Sequence, residues 1–337
     1  MSDRTPLFER LCSGLRAAGA LQPVSVGATP FRPLQQTARG ELRHYGDGEG
    51  PPLLLIYSLV NRAYLLDLQP DRSVIRRLIG EGVDVYLLDW REPDSMDRFA
   101  GLADYLHDDI AAAVAAVTAA RGQTPHLAGV CQGGVLALCH AALQPDTIRS
   151  LTLLATPLNF ATPDDPLARL AKHIDFQQLV DAVGNVPAAA LNLAFAGLKP
   201  VELFAQRYLA LAGLAEDEQG LTDFLRMERW MYDSPAQAGR AFLEFARDFY
   251  QRNLLYRGEL TIDDEPVRPR RIHHPVFAAY ARDDHLVPPA AARAVRRLLP
   301  RARLTTRERP GGHLSLFVGG RAHAQLYPEL VAWLRSA

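Results

Sequence analysis

The sequence predicts an α/β fold, a mostly parallel sheet flanked by helices, with a helical cap inserted into it. Three observations carry this expectation. From Leu53 to Ala155, short apolar runs of strand length alternate with patterns of helix length, the rhythm of right-handed crossovers in a parallel sheet. A long stretch of aromatic-bearing helical pieces then interrupts the rhythm, which resumes at Val276. Between the first strands and the interruption, PHLAGVCQGGVLALCHAAL (Pro125 to Leu143) joins a buried strand to an apolar helix through a turn at Cys131.

The elements follow in order. Residues 1–39 are expected as an N-terminal arm holding one amphipathic helix, Pro6 to Ala18. Glu41 to Tyr45 reads as an early strand and GDGEG (Gly46 to Gly50) as a turn. Its glycines precede a strand instead of joining a strand to a helix, and they enclose two acids, so a phosphate loop is disfavoured. LLLIYS is a strand, Asp71 to Glu81 a helix, DVYLLDW a strand, Leu102 to Ala120 a long alanine-rich helix, and His126 to Val130 a strand feeding the helix Gln132 to Leu143. SLTLLA is the next strand, closing a core segment expected over 40–160. Residues 161–271 carry FQQLVDAV, LNLAFAGL, LTDFLRMERWMYD and AGRAFLEFARDFY, separated by proline and glycine, and are expected as the cap. Residues 272–337 return to the core with strand VFAAYA, helix Ala290 to Leu299, strand RLTTRE and a final helix, Arg321 to Ser336.

With 37 basic and 38 acidic residues among 337, charge is balanced, which argues against a nucleic-acid surface as the main business. The three cysteines, Cys12, Cys131 and Cys139, form no CxxC pair, so neither a disulfide framework nor a zinc site is suggested. Cys131 and Cys139 lie about 12 Å apart along one helix, too far for a disulfide. The N-terminus has acids and no signal-length apolar core, and the longest apolar run, Leu53 to Val60, is too short to span a bilayer. A cytoplasmic protein without a transmembrane segment is expected.

Chemistry is expected at Cys131. GxCxG is a nucleophile elbow with cysteine where hydrolases usually carry serine: the bend lifts the side chain clear, sets the thiol at a helix N-terminus that favours thiolate, and aims the next N–H at an incoming carbonyl. The competing reading is a coincidental motif around a structural cysteine. A base and an orienting acid are needed. Of ten histidines, His126, His273 and His274 fall at the amino ends of strands, and His107, His140 and His323 within helices. His313, in PGGHLSLF, follows the last strand on the elbow's edge of the sheet. Asp284, in ARDDHLVPP, occupies the matching loop after VFAAYA; it is preferred to its neighbour Asp283 because the LVPP that follows resembles the segment turning a hydrolase acid inward, and His285 is a candidate for the surrounding layer. The order Cys131, Asp284, His313 is that of the α/β-hydrolase fold. Topology places the N–H groups of Val60 and Gln132 as oxyanion donors.

With these residues in place, the chain resembles the catalytic subunit of the class III, two-subunit polyhydroxyalkanoate synthases. LVNRAYLLDLQPDRS, DVYLLDW, GVCQGG, FLRMERWMYDSPAQAG, DFYQRNLLYRGEL, DDHLVPP and PGGH carry the resemblance from about residue 40 onward. Several lie in the cap, where sequence is more specific to a family than an elbow and triad are. The resemblance implies an (R)-3-hydroxyacyl-CoA substrate, 3-hydroxybutyryl-CoA above all, and a growing polyester as product, with Cys131, His313 and Asp284 catalytic and Val60 and Gln132 at the oxyanion. It implies no cofactor or metal, the CoA thioester being substrate, and as partners a second noncatalytic subunit and further copies of the chain, with residence on polymer granules. A thioesterase or polyester depolymerase using the same triad is the alternative, and a noncatalytic granule-binding subunit a distant third. Three departures from the family pattern bear on acyl preference: Arg91 in DWREPD, Asn159 in PLNF and Ser315 in GHLS.

Overall fold

The computed structural model describes residues 7–20, 24–198, 209 and 211–337. Ten strands are found among them: β1 (Arg32–Gln36), β2 (Gly40–Tyr45), β3 (Pro52–Ile56), β4 (Asp84–Trp90), β5 (His126–Val130), β6 (Ser150–Leu154), β7 (Thr261–Ile262), β8 (Glu265–Pro266), β9 (Pro275–Ala281) and β10 (Arg303–Arg309). Eight form one sheet in the order β1-β2-β4-β3-β5-β6-β9-β10. Every pairing from β4 to β10 is parallel, whereas β1 and β2 run antiparallel at one edge. The expected α/β architecture is therefore observed.

Side chains alternate across a strand, and β3 divides its residues accordingly. Leu54 and Ile56 enter an apolar layer with Val114, Leu127 and Leu136, while Leu53 and Leu55 enter the opposite layer with Ala128, Phe277 and Leu330. Burial on both faces explains the unbroken apolar runs of the central strands. The exposed edge β10 instead carries Arg303, Arg307, Glu308 and Arg309, charges that discourage pairing with another chain.

Several elements differ from the sequence expectation. The arm contributes β1 to the sheet, although RPLQQ has no apolar alternation; its five positions are exposed or half-buried, and its order comes from hydrogen bonding to β2. The helix expected from Asp71 begins at Val74, because Ser73 is its N-cap and accepts the Arg76 N–H at 3.0 Å. The alanine-rich helix widens into a π-helical turn over Tyr105–Ile110, and Asp109 there receives the Arg39 guanidinium at 2.6 Å. It ends at Gly122, whose φ of 64° suits glycine. The helix expected over Ala290 to Leu299 is divided into Pro289–Arg293 and Val295–Leu298.

Between β6 and β9 the chain forms helices Pro166–Ala171, Phe176–Val183, Ala188–Leu198, Glu218–Tyr232 and Gly239–Glu244, then a π-helical turn, Phe245–Gln251, and the β7–β8 hairpin. Asp165, Asp175 and Asp217 each cap a helix by accepting an N–H three residues on. The later part of this segment is not a separate layer: Ala241, Phe245, Phe249, Leu255 and Ile262 belong to the same apolar cluster as β3 and β5. No helix among the described residues is long and apolar enough to cross a membrane.

Candidate active site

At the end of β5 the chain reverses into the helix Gln132–Leu143, with Cys131 at φ 53° and ψ −119°. A non-glycine residue held there stores strain of order 1–3 kcal/mol, offset by the surroundings: the Cys131 N–H donates to the Leu154 carbonyl at 2.8 Å. The flanking glycines serve close approach. A Cβ on Gly129 would strike the Gly134 backbone, one on Gly133 the carbonyls of Ile56 and Tyr57, and one on Gly134 the Thr156 hydroxyl. The sulfur emerges half-buried against Tyr280, Val287, Ala291 and Ala292.

The structure pairs His313 with Asp284 in the loops that follow β10 and β9. His313 Nδ1 lies 2.7 Å from Asp284 Oδ2, and Asp284 Oδ1 accepts the N–H groups of Leu286 and Val287 at 2.9 Å each. These two amides are the inward turn supplied by LVPP. Burial alone depresses the His313 pKa, but the charges of Asp284 and of Cys131, with the hydrogen bond to Asp284, raise it well above that of free imidazole. Asp283 is exposed and does different work: its N–H donates to the Gly311 carbonyl at 3.0 Å and its carboxylate accepts the Gly311 N–H at 3.1 Å, tying the Asp284 loop to the His313 loop. His285 is half-buried beside them.

The other candidates are unsuited. Burial pushes the Cys139 thiol up to about 12 and the imidazoles of His126 and His140 down to about 4. Cys12 sits on the N-terminal helix Leu7–Ala20. Among the described residues no group of three or more His, Cys, Asp or Glu side chains could hold a metal ion.

The expected oxyanion donors have distinct settings. The Gln132 N–H opens the first turn of its helix, where no intrahelical carbonyl is available. The Val60 N–H donates to Ser58 Oγ at 3.0 Å. Two aromatic hydroxyls escaped the sequence reading. Tyr57 is buried and Tyr250 half-buried, and desolvation of their hydroxyls raises both pKa values well above 10, with the Cys131 charge adding to it at Tyr57 and those of Asp165 and Cys131 at Tyr250. Tyr250 packs edge-on to Phe160 at 4.8 Å. Nothing in the strand end LLLIYS or in DFYQRN distinguishes them from core aromatics. The three departures each have partners: Arg91 pairs with Asp97 at 2.6 Å and Ser315 Oγ donates to the Gly312 carbonyl at 2.6 Å, both close in the chain, while Asn159 Oδ1 accepts the side-chain amide of the distant Asn253 at 2.8 Å.

Comparison with known proteins bears on the fold and the family. Residues 51–320 match the model of the alpha/beta hydrolase fold. Among solved structures, a hydrolase from Pseudomonas aeruginosa superposes with a TM-score of 0.57 at 17% identity, covering 92% of this chain and 100% of that one. A thermophilic esterase from Thermogutta terrifontis gives 0.53 at 16%, covering 93% and 97%. At such identities the likeness establishes the fold alone. Sequence relatives reach further. The poly(3-hydroxyalkanoate) polymerase subunit PhaC of Allochromatium vinosum is 38% identical over 332 residues, 96% of this chain and 94% of that protein. The subunit of the same name from Synechocystis is 38% identical over 340 residues, covering 97% and 90%, and that of Haloferax mediterranei 36% identical over 334 residues, covering 97% and 68%. With an elbow cysteine, a buried His–Asp pair and relatives matched along nearly the whole length, the chain belongs to the poly(3-hydroxyalkanoate) polymerase PhaC family, built on the α/β-hydrolase fold.

Proposed function

We propose that this protein polymerises (R)-3-hydroxyacyl-CoA, 3-hydroxybutyryl-CoA above all, into polyester with release of coenzyme A. The observation that carries the proposal is the buried pairing of His313 with Asp284 at 2.7 Å in the loops that accompany the elbow cysteine, Cys131, in a chain similar throughout to named polymerases. Asp284 holds Nδ1 and leaves Nε2 for the sulfur. The thiol proton passes to His313, the thiolate attacks the thioester carbonyl, and the imidazolium returns the proton to the departing CoA sulfur. One thioester replaces another, so acylation is nearly neutral in bond energy. The 3-hydroxyl of another acyl unit then gives its proton to the base, with Asp284 acting directly or through His313, and its oxygen attacks the acyl-cysteine, breaking the carbon–sulfur bond and releasing Cys131, whose sulfur recovers the proton from the base. An oxoester forms from a thioester, and that step runs downhill.

Water competes for the same intermediate at about 55 M, so polymerisation requires a site that excludes water and orients the hydroxyl, an advantage that effective molarities of about 10⁵–10⁸ M make attainable. The helical segment between β6 and β9 is the proposed cap for that purpose. The proposed reaction uses the CoA thioester as substrate, the triad as acid–base and nucleophile, and the Val60 and Gln132 N–H groups as oxyanion donors. A second noncatalytic subunit, self-association and granule residence in the cytoplasm complete the proposal. Incubation with 3-hydroxybutyryl-CoA, with and without the second subunit, while following thiol release and sedimentable polyester tests it. Polymer is expected; free 3-hydroxybutyrate matched one for one with released thiol would establish a thioesterase instead.

A further inference from the structure

The side chain of Gln132 does something its backbone role does not require. It points away from its own helix to the loop that follows β3, where Oε1 accepts the Leu59 N–H at 3.1 Å and faces the Ser58 hydroxyl at 3.4 Å. Ser58 Oγ in turn accepts the Val60 N–H at 3.0 Å. Ser58, Leu59 and Gln132 are all buried. One amide oxygen on the nucleophile's helix thus fixes the two residues that precede Val60, and a hydroxyl held by that oxygen occupies the N–H expected to meet substrate. The loop is fastened on its far side as well, where Asn61 Nδ2 donates to the Trp230 carbonyl and to Ser234 Oγ at 3.3 and 3.0 Å.

We propose that the Gln132 side chain is a positioning residue that locks the Val60 N–H at a fixed separation from the Gln132 N–H, and that Ser58 Oγ is a placeholder which the carbonyl oxygen of the acyl donor displaces. The inference rests on the functional reading above and extends it to how the oxyanion site is built. An oxyanion accepts best from two donors already aimed at its position, since no reorganisation then accompanies the reaction. Those donors come from two separate loops, and backbone planarity alone cannot register one loop against the other. The Gln132 amide spans the gap. A neutral hydroxyl oxygen is a weaker acceptor than a developing oxyanion, so the placeholder keeps the half-buried Val60 N–H satisfied at rest and yields as charge accumulates.

The test separates sulfur reactivity from oxyanion stabilisation. Alkylation of Cys131 by iodoacetamide passes through no oxyanion, whereas acyl transfer does. In Gln132→Met, which keeps the backbone N–H and the side-chain length but has no oxygen, alkylation is expected to stay within about threefold of wild type while kcat for thiol release falls about 100-fold, the scale of a lost or misplaced donor. Gln132→Glu restores the acceptor, so its ratio of acyl transfer to alkylation is expected to recover to within about tenfold of wild type. In Ser58→Ala, which removes only the placeholder, acyl transfer is expected to fall no more than about threefold. The inference is overturned if alkylation and acyl transfer decline together in Gln132→Met, if neither changes, if Gln132→Glu is as impaired as Gln132→Met, or if Ser58→Ala loses more than about tenfold. Should Gln132→Met not fold, the Gln132→Glu and Ser58→Ala arms decide. An activated aryl ester serves as a second acyl donor: its turnover by a wild-type protein inert to 3-hydroxybutyryl-CoA would condemn the substrate assignment while every arm stayed readable.

Discussion

Asp284→Asn removes a charge from the site while keeping its shape. In the wild type Asp284 Oδ2 faces His313 Nδ1 at 2.7 Å, and Oδ1 is committed to the Leu286 and Val287 N–H groups. An asparagine that keeps its oxygen on those two amides turns its NH2 group toward Nδ1. The imidazole must then accept there, which puts its proton on Nε2, the atom proposed to take the proton from Cys131. Such a wrong tautomer, together with loss of acid–base assistance, is expected to lower acyl transfer by about 10²–10⁴-fold, or about 2.7–5.4 kcal/mol of barrier. The fold survives because His313 can shed its charge instead of standing as an unpaired buried cation, leaving a cost of about 1–3 kcal/mol. The pH dependence has a definite sign. The His313 pKa is raised in the folded protein, since the attraction of Asp284 and Cys131 outweighs burial. Its contribution to stability is therefore full below the unfolded pKa of about 6.5 and lost as pH climbs through the elevated folded value. Asp284→Asn is expected to shrink that alkaline loss. Thiol release from 3-hydroxybutyryl-CoA and urea midpoints across pH measure both effects. Near-normal turnover of a folded Asp284→Asn protein would refute the reasoning.

Three further outcomes are expected. Asp283→Asn keeps an oxygen able to accept the Gly311 N–H and stands outside the buried pair, so turnover should remain within about threefold of wild type; a loss as deep as that of Asp284→Asn would move the catalytic acid by one residue. A chain-terminating acyl-CoA should label Cys131, seen by peptide mapping, and Cys139→Ala should stay active because burial holds that thiol at about 12, whereas Cys131→Ser should make no polymer; label on Cys139 with Cys131 unmodified would count against this. Asn61→Gly suits the φ of 61° and deletes the hydrogen bonds to Trp230 and Ser234. It should speed amide exchange across Glu218–Tyr232 while leaving β3 and β5 protected, and acyl-CoA should slow exchange in the same helix; uniform protection unaffected by variant or ligand would argue against a cap that opens.

Much of this molecule was decided locally and could be read from residue order. Central strands announce themselves because burial on both faces demands continuous apolar runs, and β3 and β5 are such runs. The elbow was legible because a strand turning at once into a helix needs glycines at Gly129, Gly133 and Gly134, and the loops after β9 and β10 carry an acid and a histidine in the order the fold requires. What the sequence left open depends on partners distant in the chain. RPLQQ becomes a strand only because β2 offers it hydrogen bonds, and the π-helical turn at Tyr105–Ile110 carries Asp109, which Arg39 reaches from 70 residues away. The division of labour between Asp283 and Asp284 shows only when one faces Gly311 and the other His313. Tyr57, Tyr250 and the Gln132 side chain likewise gain meaning from the sulfur and the loop they approach. Periodicity and backbone sterics act over a few residues and leave a mark in sequence, whereas the direction of a buried polar side chain is set by whichever distant donor or acceptor the folded chain delivers to it.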